Sequence, residues 1–150
     1  MGHSRASEIE DMELLARVHD IGKITVPDAI LNKPSKLNEE EYSIVKKHAE
    51  AGYKITKNII DSDRICEGVL YHHERYDGNG YPRGLQDKDI PLFAKIICVI
   101  DSFDAMTNER IYSTTKSNDE AIAEIKRCSG TQFDPDVVKA FLVSCFPEKQ

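Results

Sequence analysis

Pro91-Leu92-Phe93-Ala94-Lys95-Ile96-Ile97-Cys98-Val99-Ile100-Asp101-Ser102-Phe103-Asp104-Ala105-Met106-Thr107 is the stretch on which the fold turns. Proline suits the first position of a helix, where its missing N–H would have no partner anyway. The residues behind it are strongly apolar, so the spacing predicts a helix over 92–107. The run Ile96–Ile100 is bounded by Lys95 and Asp101 and is far too short to span a bilayer. Asp101 is the anomaly. Ile97, Ile100 and Phe103 are its helical neighbours, and a bare carboxylate among them is costly. It is expected to be paired, hydrogen-bonded or bound to a cation.

Working outward, helical spacing recurs. Ile9, Met12, Leu15, Ala16 and His19 mark a helix over 8–19, which Gly22 is expected to end. Pro27-Asp28 and Lys33-Pro34-Ser35-Lys36 are turn signals around Ala29-Ile30-Leu31. Asn38 followed by Glu39-Glu40-Glu41 is a capping-box pattern with an acidic first turn. A helix is expected from there to about Ile60, with Tyr42, Val45, Ala49, Gly52 and Tyr53 on its inner face, and another over 62–73. Ser117-Asn118-Asp119-Glu120 caps a helix to about Cys128, and Asp134-Pro135 opens a last one to about Cys145. No segment alternates with period two, so the fold class is all-α, a bundle of about six to seven helices. Residues 74–91 are the long irregular stretch. Gly78, Gly80, Gly84, Pro82 and Pro91 break regular structure there, and a loop of that length in a small domain more often carries function than not.

The chain has 150 residues, enough for one domain with one core, and no internal repeat or linker. Hydrophobic residues make up 40% and charged residues 31%, with a net charge of −6. That acidic balance argues against a general nucleic-acid binder. There is no secretory signal and no membrane span, so a cytoplasmic setting without membrane contact is expected. Cys66, Cys98, Cys128 and Cys145 form no Cys-x-x-Cys pair and read as buried reduced thiols. Met1-Gly2-His3-Ser4 reads as the remnant of an expression tag, which leaves 5–150 as the domain.

The remaining histidines, His19, His48, His72 and His73, all fall on or at the ends of predicted helices. Helix bundles build metal sites from imidazoles and carboxylates on facing helices. Mixed imidazole and carboxylate ligation suits Fe, Mn, Ni or Zn without selecting among them. Such ions lower the pKa of a bound water to give a hydroxide nucleophile, and they neutralise phosphoryl oxygens. Each signal also has an ordinary explanation. Taken alone, His19-Asp20 reads more readily as a helix-end capping pair, and His48 as a surface histidine beside Lys46 and Lys47. His72-His73 can be half solvated, and Asp101 can pair with Lys95 or Arg110.

The strings His19-Asp20-Ile21-Gly22-Lys23-Ile24, Pro27-Asp28, Ile30-Leu31-Asn32-Lys33-Pro34 and His72-His73-Glu74-Arg75-Tyr76-Asp77-Gly78-Asn79-Gly80-Tyr81-Pro82 closely resemble the HD-GYP family. This is a branch of the HD metal-dependent phosphohydrolases. Ile90-Pro91, Asp101-Ser102-Phe103-Asp104-Ala105, Arg110 and Phe133-Asp134-Pro135 extend the match, which runs over roughly 14 to 142. The resemblance implies a helical bundle of the HD-domain type holding two or three divalent metal ions. It also implies hydrolysis of cyclic di-GMP in a bacterial signalling protein. By position, His19, Asp20, His48, His72, His73 and Asp101 match metal ligands, with Asp20 bridging and catalytic. Lys23 matches the catalytic lysine that faces the scissile phosphate, and Arg110 an arginine that grips a substrate phosphate. Gly80-Tyr81-Pro82 is the naming motif, implied to shape the substrate pocket, to contact a partner such as a diguanylate cyclase (GGDEF) domain, or to form a rigid turn.

Two departures stand beside this. The family carries a further ligand histidine on a helix upstream of the His-Asp pair, and His3 lies too close to His19 to replace it. Either the chain lacks the first helix or helices of a longer protein, one that commonly carries a receiver or sensor domain, or it is a degenerate member of the family. One metal would then be short of ligands, and this chain's own activity weakened. Ser113 and Ile111 stand where the family has a basic residue and a proline, which implies weaker phosphate binding. The alternatives are a non-catalytic nucleotide- or protein-binding module, and an HD phosphohydrolase acting on other nucleotides.

Overall fold

The computed structural model describes residues 5–108 and 115–146. The order is α1 (Arg5–Val18), a 3-10 segment (Ile21–Thr25), the single turn α2 (Asp28–Leu31), α3 (Glu39–Lys46), α4 (His48–Ile59), α5 (Asp63–Tyr71), α6 (Leu92–Thr107), α7 (Asn118–Arg127) and α8 (Pro135–Cys145). Among the described residues there is no strand, so the all-α expectation holds. No described helix is long and apolar enough to cross a membrane.

The helix starts follow from local chemistry. Asn38 and Ser117 both form complete capping boxes, with Glu41 and Glu120 respectively. Asp134 accepts from the amides of Asp136 and Val137, and Pro135 occupies the first turn of α8. Each such cap satisfies amide donors that the helix leaves open.

α6 is the shared wall of the molecule. Ile97 closes a core with Leu15 of α1 and Ile65 and Val69 of α5. Val99 packs into a second core with Ile125, Cys128, Phe133, Val137 and Val138 from α7, α8 and the turn between them. Lys95 pairs with Asp134 at 2.8 Å and so ties α6 to the start of α8.

Several details differ from the sequence reading. The helix expected to run from Asn38 to Ile60 is two helices that meet at Lys47. There the His48 ring takes the Val45 carbonyl at 2.6 Å, the acceptor a continuous helix would offer to the amide of Ala49. Gly22 does not end α1, which stops at Val18. Gly22 lies buried in the 3-10 segment, pressed against α4. A Cβ at Gly22 would sit 1.9 Å from the His48 carbonyl oxygen and 2.5 Å from the Gly52 nitrogen. The loop 74–91 holds an isolated bridge between Asp77 and Gln86 and a 3-10 turn, Asp87–Asp89. All four cysteines are free, but only Cys66 and Cys128 are buried; Cys98 is half-buried and Cys145 is exposed. Residues 1–4, read as a tag remnant, lie outside the described residues.

Candidate metal centre

Four elements deliver the predicted ligands to one place. The turn after α1 presents His19 and Asp20, the first residue of α4 is His48, the turn after α5 carries His72 and His73, and α6 supplies Asp101. Ligand atoms of Asp20, His48, His72 and His73 all lie within 4.8 Å of one another. Asp20 Oδ1 is 3.3 Å from His48 Nε2 and 3.7 Å from His72 Nε2. On its other side, Asp20 Oδ2 is 3.5 Å from His19 Nε2, which is 3.6 Å from Asp101 Oδ1. Asp20 thus stands between a three-imidazole group and a His19–Asp101 pair. All six predicted ligands are brought together.

The backbone sets the imidazoles. His19, His48 and His72 each place Nδ1 on the carbonyl three residues earlier, Ala16 at 2.9 Å, Val45 at 2.6 Å and Val69 at 2.7 Å. A carbonyl only accepts, so each Nδ1 carries the proton, and in the neutral ring Nε2 keeps a lone pair. These lone pairs face each other, with His48 Nε2 3.4 Å from His72 Nε2. His19 Nε2 and Asp20 Oδ1 are buried without a hydrogen-bond partner. Converging lone pairs and a carboxylate, with second ring nitrogens anchored, are the donor set of a divalent metal ion. The residues present fit that group.

The electrostatics agree. Burial pushes the pKa of His72 down, and burial together with the neighbouring His72 and His48 pushes His73 down to about 3. Both rings therefore stay neutral near pH 7. Burial opposes charge on Asp20, but contacts from His48, His72 and Lys23 outweigh it and hold the carboxyl far below the usual range. The His19 contact lowers Asp101. His19 itself is raised, because Asp101 and Asp20 overcome its desolvation.

The other predicted residues divide. Lys23, in the 3-10 segment, places Nζ 2.5 Å from Asp20 Oδ2, at the edge of the cage. Gly80 and Tyr81 line a cleft of about 230 Å³ together with Tyr42, His73, Asp101 and Ser102. Pro82 follows a cis peptide bond and does not line that cleft. Arg110, with Ile111 and Ser113, lies outside the described residues. Of the ordinary explanations, His48 is buried rather than on the surface, and Lys95 is engaged by Asp134 rather than Asp101.

One residue escaped the sequence reading. Glu74 is buried and accepts three backbone amides, from Arg83 at 2.6 Å, Gly84 at 3.1 Å and Leu85 at 3.0 Å. It ties the far limb of the loop to the end of α5. An acidic residue directly after two ligand histidines is the only signal the sequence offered. Glu74→Ala strands three partly buried donors, and the expected cost is about 3 kcal/mol. A urea titration that matches the wild type would contradict that account.

The HD domain family profile matches residues 3–137. A cyclic di-GMP phosphodiesterase of Thermotoga maritima is 45% identical over 136 residues, covering 89% of this chain and 37% of that protein. The cyclic di-GMP phosphodiesterase response regulator RpfG of Xanthomonas campestris pv. campestris is 41% identical over 139 residues, covering 90% and 36%. The solved structure of a cyclic GMP-AMP specific phosphodiesterase from V. cholerae, V-cGAP3, shares the fold at a TM-score of 0.68 and 22% identity, covering 91% of this chain and 38% of that one. The chain spans little more than a third of the length of these relatives. It belongs to the HD domain family, in the HD-GYP branch that its motifs resemble.

Proposed function

We propose that this chain hydrolyses a phosphodiester bond of a cyclic dinucleotide, with cyclic di-GMP as the substrate. The observation that carries the reading is the cage itself: backbone-anchored imidazoles converge on Asp20 while His19 Nε2 and Asp20 Oδ1 are buried without partners. The names of relatives at 41 and 45% identity support the substrate class. His48, His72 and His73 would hold one ion, His19 and Asp101 a second, and Asp20 would bridge them. Fe, Mn, Ni and Zn all suit these donors. A bound divalent ion supplies a water of lowered pKa and positive charge against phosphoryl oxygens.

The chain's own residues do the rest. Asp20 keeps its negative charge at every physiological pH and holds Lys23 at the edge of the cage. From there Lys23 would reach a phosphoryl oxygen and stabilise its developing charge without reorganising. Gly80 and Tyr81 would border the nucleotide, and Arg110 would take its second phosphate. A cytoplasmic setting, an upstream receiver or sensor domain and contact between the loop 74–91 and a diguanylate cyclase domain complete the proposal. The response-regulator name of one relative supports the receiver domain.

A second substrate, 3′3′-cGAMP, is favoured by relatives named for it at 35 to 42% identity. Incubating the protein with Mn²⁺ or Fe²⁺ and each dinucleotide tests both. The expected products are a linear dinucleotide or mononucleotides. No turnover of either, in protein shown by elemental analysis to hold metal, removes the reading and leaves a nucleotide-binding module.

A further inference from the structure

His73 differs from the other ligand imidazoles. Rings of His19, His48 and His72 are each fixed through Nδ1 by the carbonyl three residues earlier. Among the described residues the His73 ring makes no hydrogen bond. It is held by faces instead. Tyr81 stacks on it with centroids 4.8 Å apart and planes 26° from parallel, and His72 lies against it at 4.0 Å.

The loop is built to bring Tyr81 there. The Tyr81 amide donates to the His73 carbonyl at 3.2 Å. Gly80 lies against the same residues, since a Cβ on it would come within 2.4 Å of the Arg75 nitrogen and 2.6 Å of the Glu74 Cα and His73 oxygen. Only a residue without a side chain allows that approach. On the far side, Glu74 fixes the amides of Arg83, Gly84 and Leu85. The Tyr81 phenol is only half-exposed, with the Tyr42 ring at its edge 6.5 Å away.

We propose that Gly80 and Tyr81 form a clamp that positions His73 as a metal ligand, with the aromatic face of Tyr81 doing for this imidazole what a backbone carbonyl does for the other three. Tyr81 is thus a positioning residue. This rests on the reading of His73 as a metal ligand. It requires the flat ring and not the hydroxyl, because it is the ring face that contacts His73. A partner that oriented a ligand ring and was removed would typically cost about 10- to 100-fold in metal affinity.

Mn²⁺ affinity and stoichiometry, measured by calorimetry on wild type and variants, test it. Tyr81→Phe is expected to bind as the wild type does. Tyr81→Ala is expected to weaken the affinity about 10- to 100-fold. In a His73→Ala background, adding Tyr81→Ala is expected to change the affinity no further. Unchanged affinity in Tyr81→Ala, or an equal loss in both backgrounds, overturns the clamp, the second because Tyr81 would then act on the fold and not on His73. Should Tyr81→Ala fail to fold, Tyr81→Leu replaces it, keeping bulk without a flat face, and equal affinity of the Leu and Phe variants overturns the proposal. Wild-type protein that binds Mn²⁺ but leaves cyclic dinucleotides intact defeats the phosphodiesterase reading alone. Wild-type protein that binds no divalent ion defeats both.

Discussion

Asp20→Ala is expected to strip the protein of metal and to lower phosphodiester hydrolysis by at least about three orders of magnitude, equivalent to about 4 kcal/mol of transition-state stabilisation. One carboxylate serves both halves of the cage, with Oδ1 toward His48 and His72 and Oδ2 toward His19 and Lys23. Its removal leaves the imidazole lone pairs without the neighbouring anion that would balance bound cationic charge, and it releases Lys23 from its position. The fold is expected to survive. Asp20 precedes the 3-10 segment but its side chain caps no amide there. Asp20→Asn, which keeps shape and loses charge, is expected to behave alike in metal content. Elemental analysis showing wild-type metal in either variant would mean that Asp20 is not a ligand.

Gly22→Ala is the substitution with the largest expected structural effect. The atoms a Cβ would strike, the His48 carbonyl at 1.9 Å and the Gly52 amide nitrogen at 2.5 Å, belong to the backbone of α4. No rotamer change relieves that clash, so the 3-10 segment must lift from α4. Overpacking of this kind costs about 3 kcal/mol or more. That corresponds to a fall in Tm on the order of 10 °C for a chain of this size. Lifting the segment also separates Asp20 from His48, so metal affinity is expected to fall with it. Calorimetric melting and a metal titration check the two effects together, and a variant with wild-type values in both would refute the close-contact account.

Asp101 and Gly22 illustrate what was legible in the sequence and what was not. Asp101 announced itself because a carboxylate in an apolar helix has a cost that demands an explanation, and the structure places it 3.6 Å from His19. Helix starts at Asn38, Ser117 and Asp134 were legible because capping is local chemistry. The role of Gly22 was not, because a helix-ending glycine and a glycine pinned beneath another helix look the same one residue at a time. The break at Lys47 was hidden for a related reason. It comes from the His48 side chain competing for the Val45 carbonyl, and no helix-breaking residue marks it. Spacing alone also left His48 open as a surface histidine; its burial depends on contacts with residues far away in sequence. The role of Glu74 was not legible, because its partners are amides, which carry no sequence signature.

α6 gives one side to each of the two cores and also carries Asp101. Melting of either half would strip the same helix of its cover, so the two halves are expected to unfold together. An ion bound beside Asp101 therefore resists unfolding of the entire chain by mass action, not merely of the loops around it. Occupancy beside Asp101 should register as thermal protection in α7 and α8, which supply none of the predicted ligands.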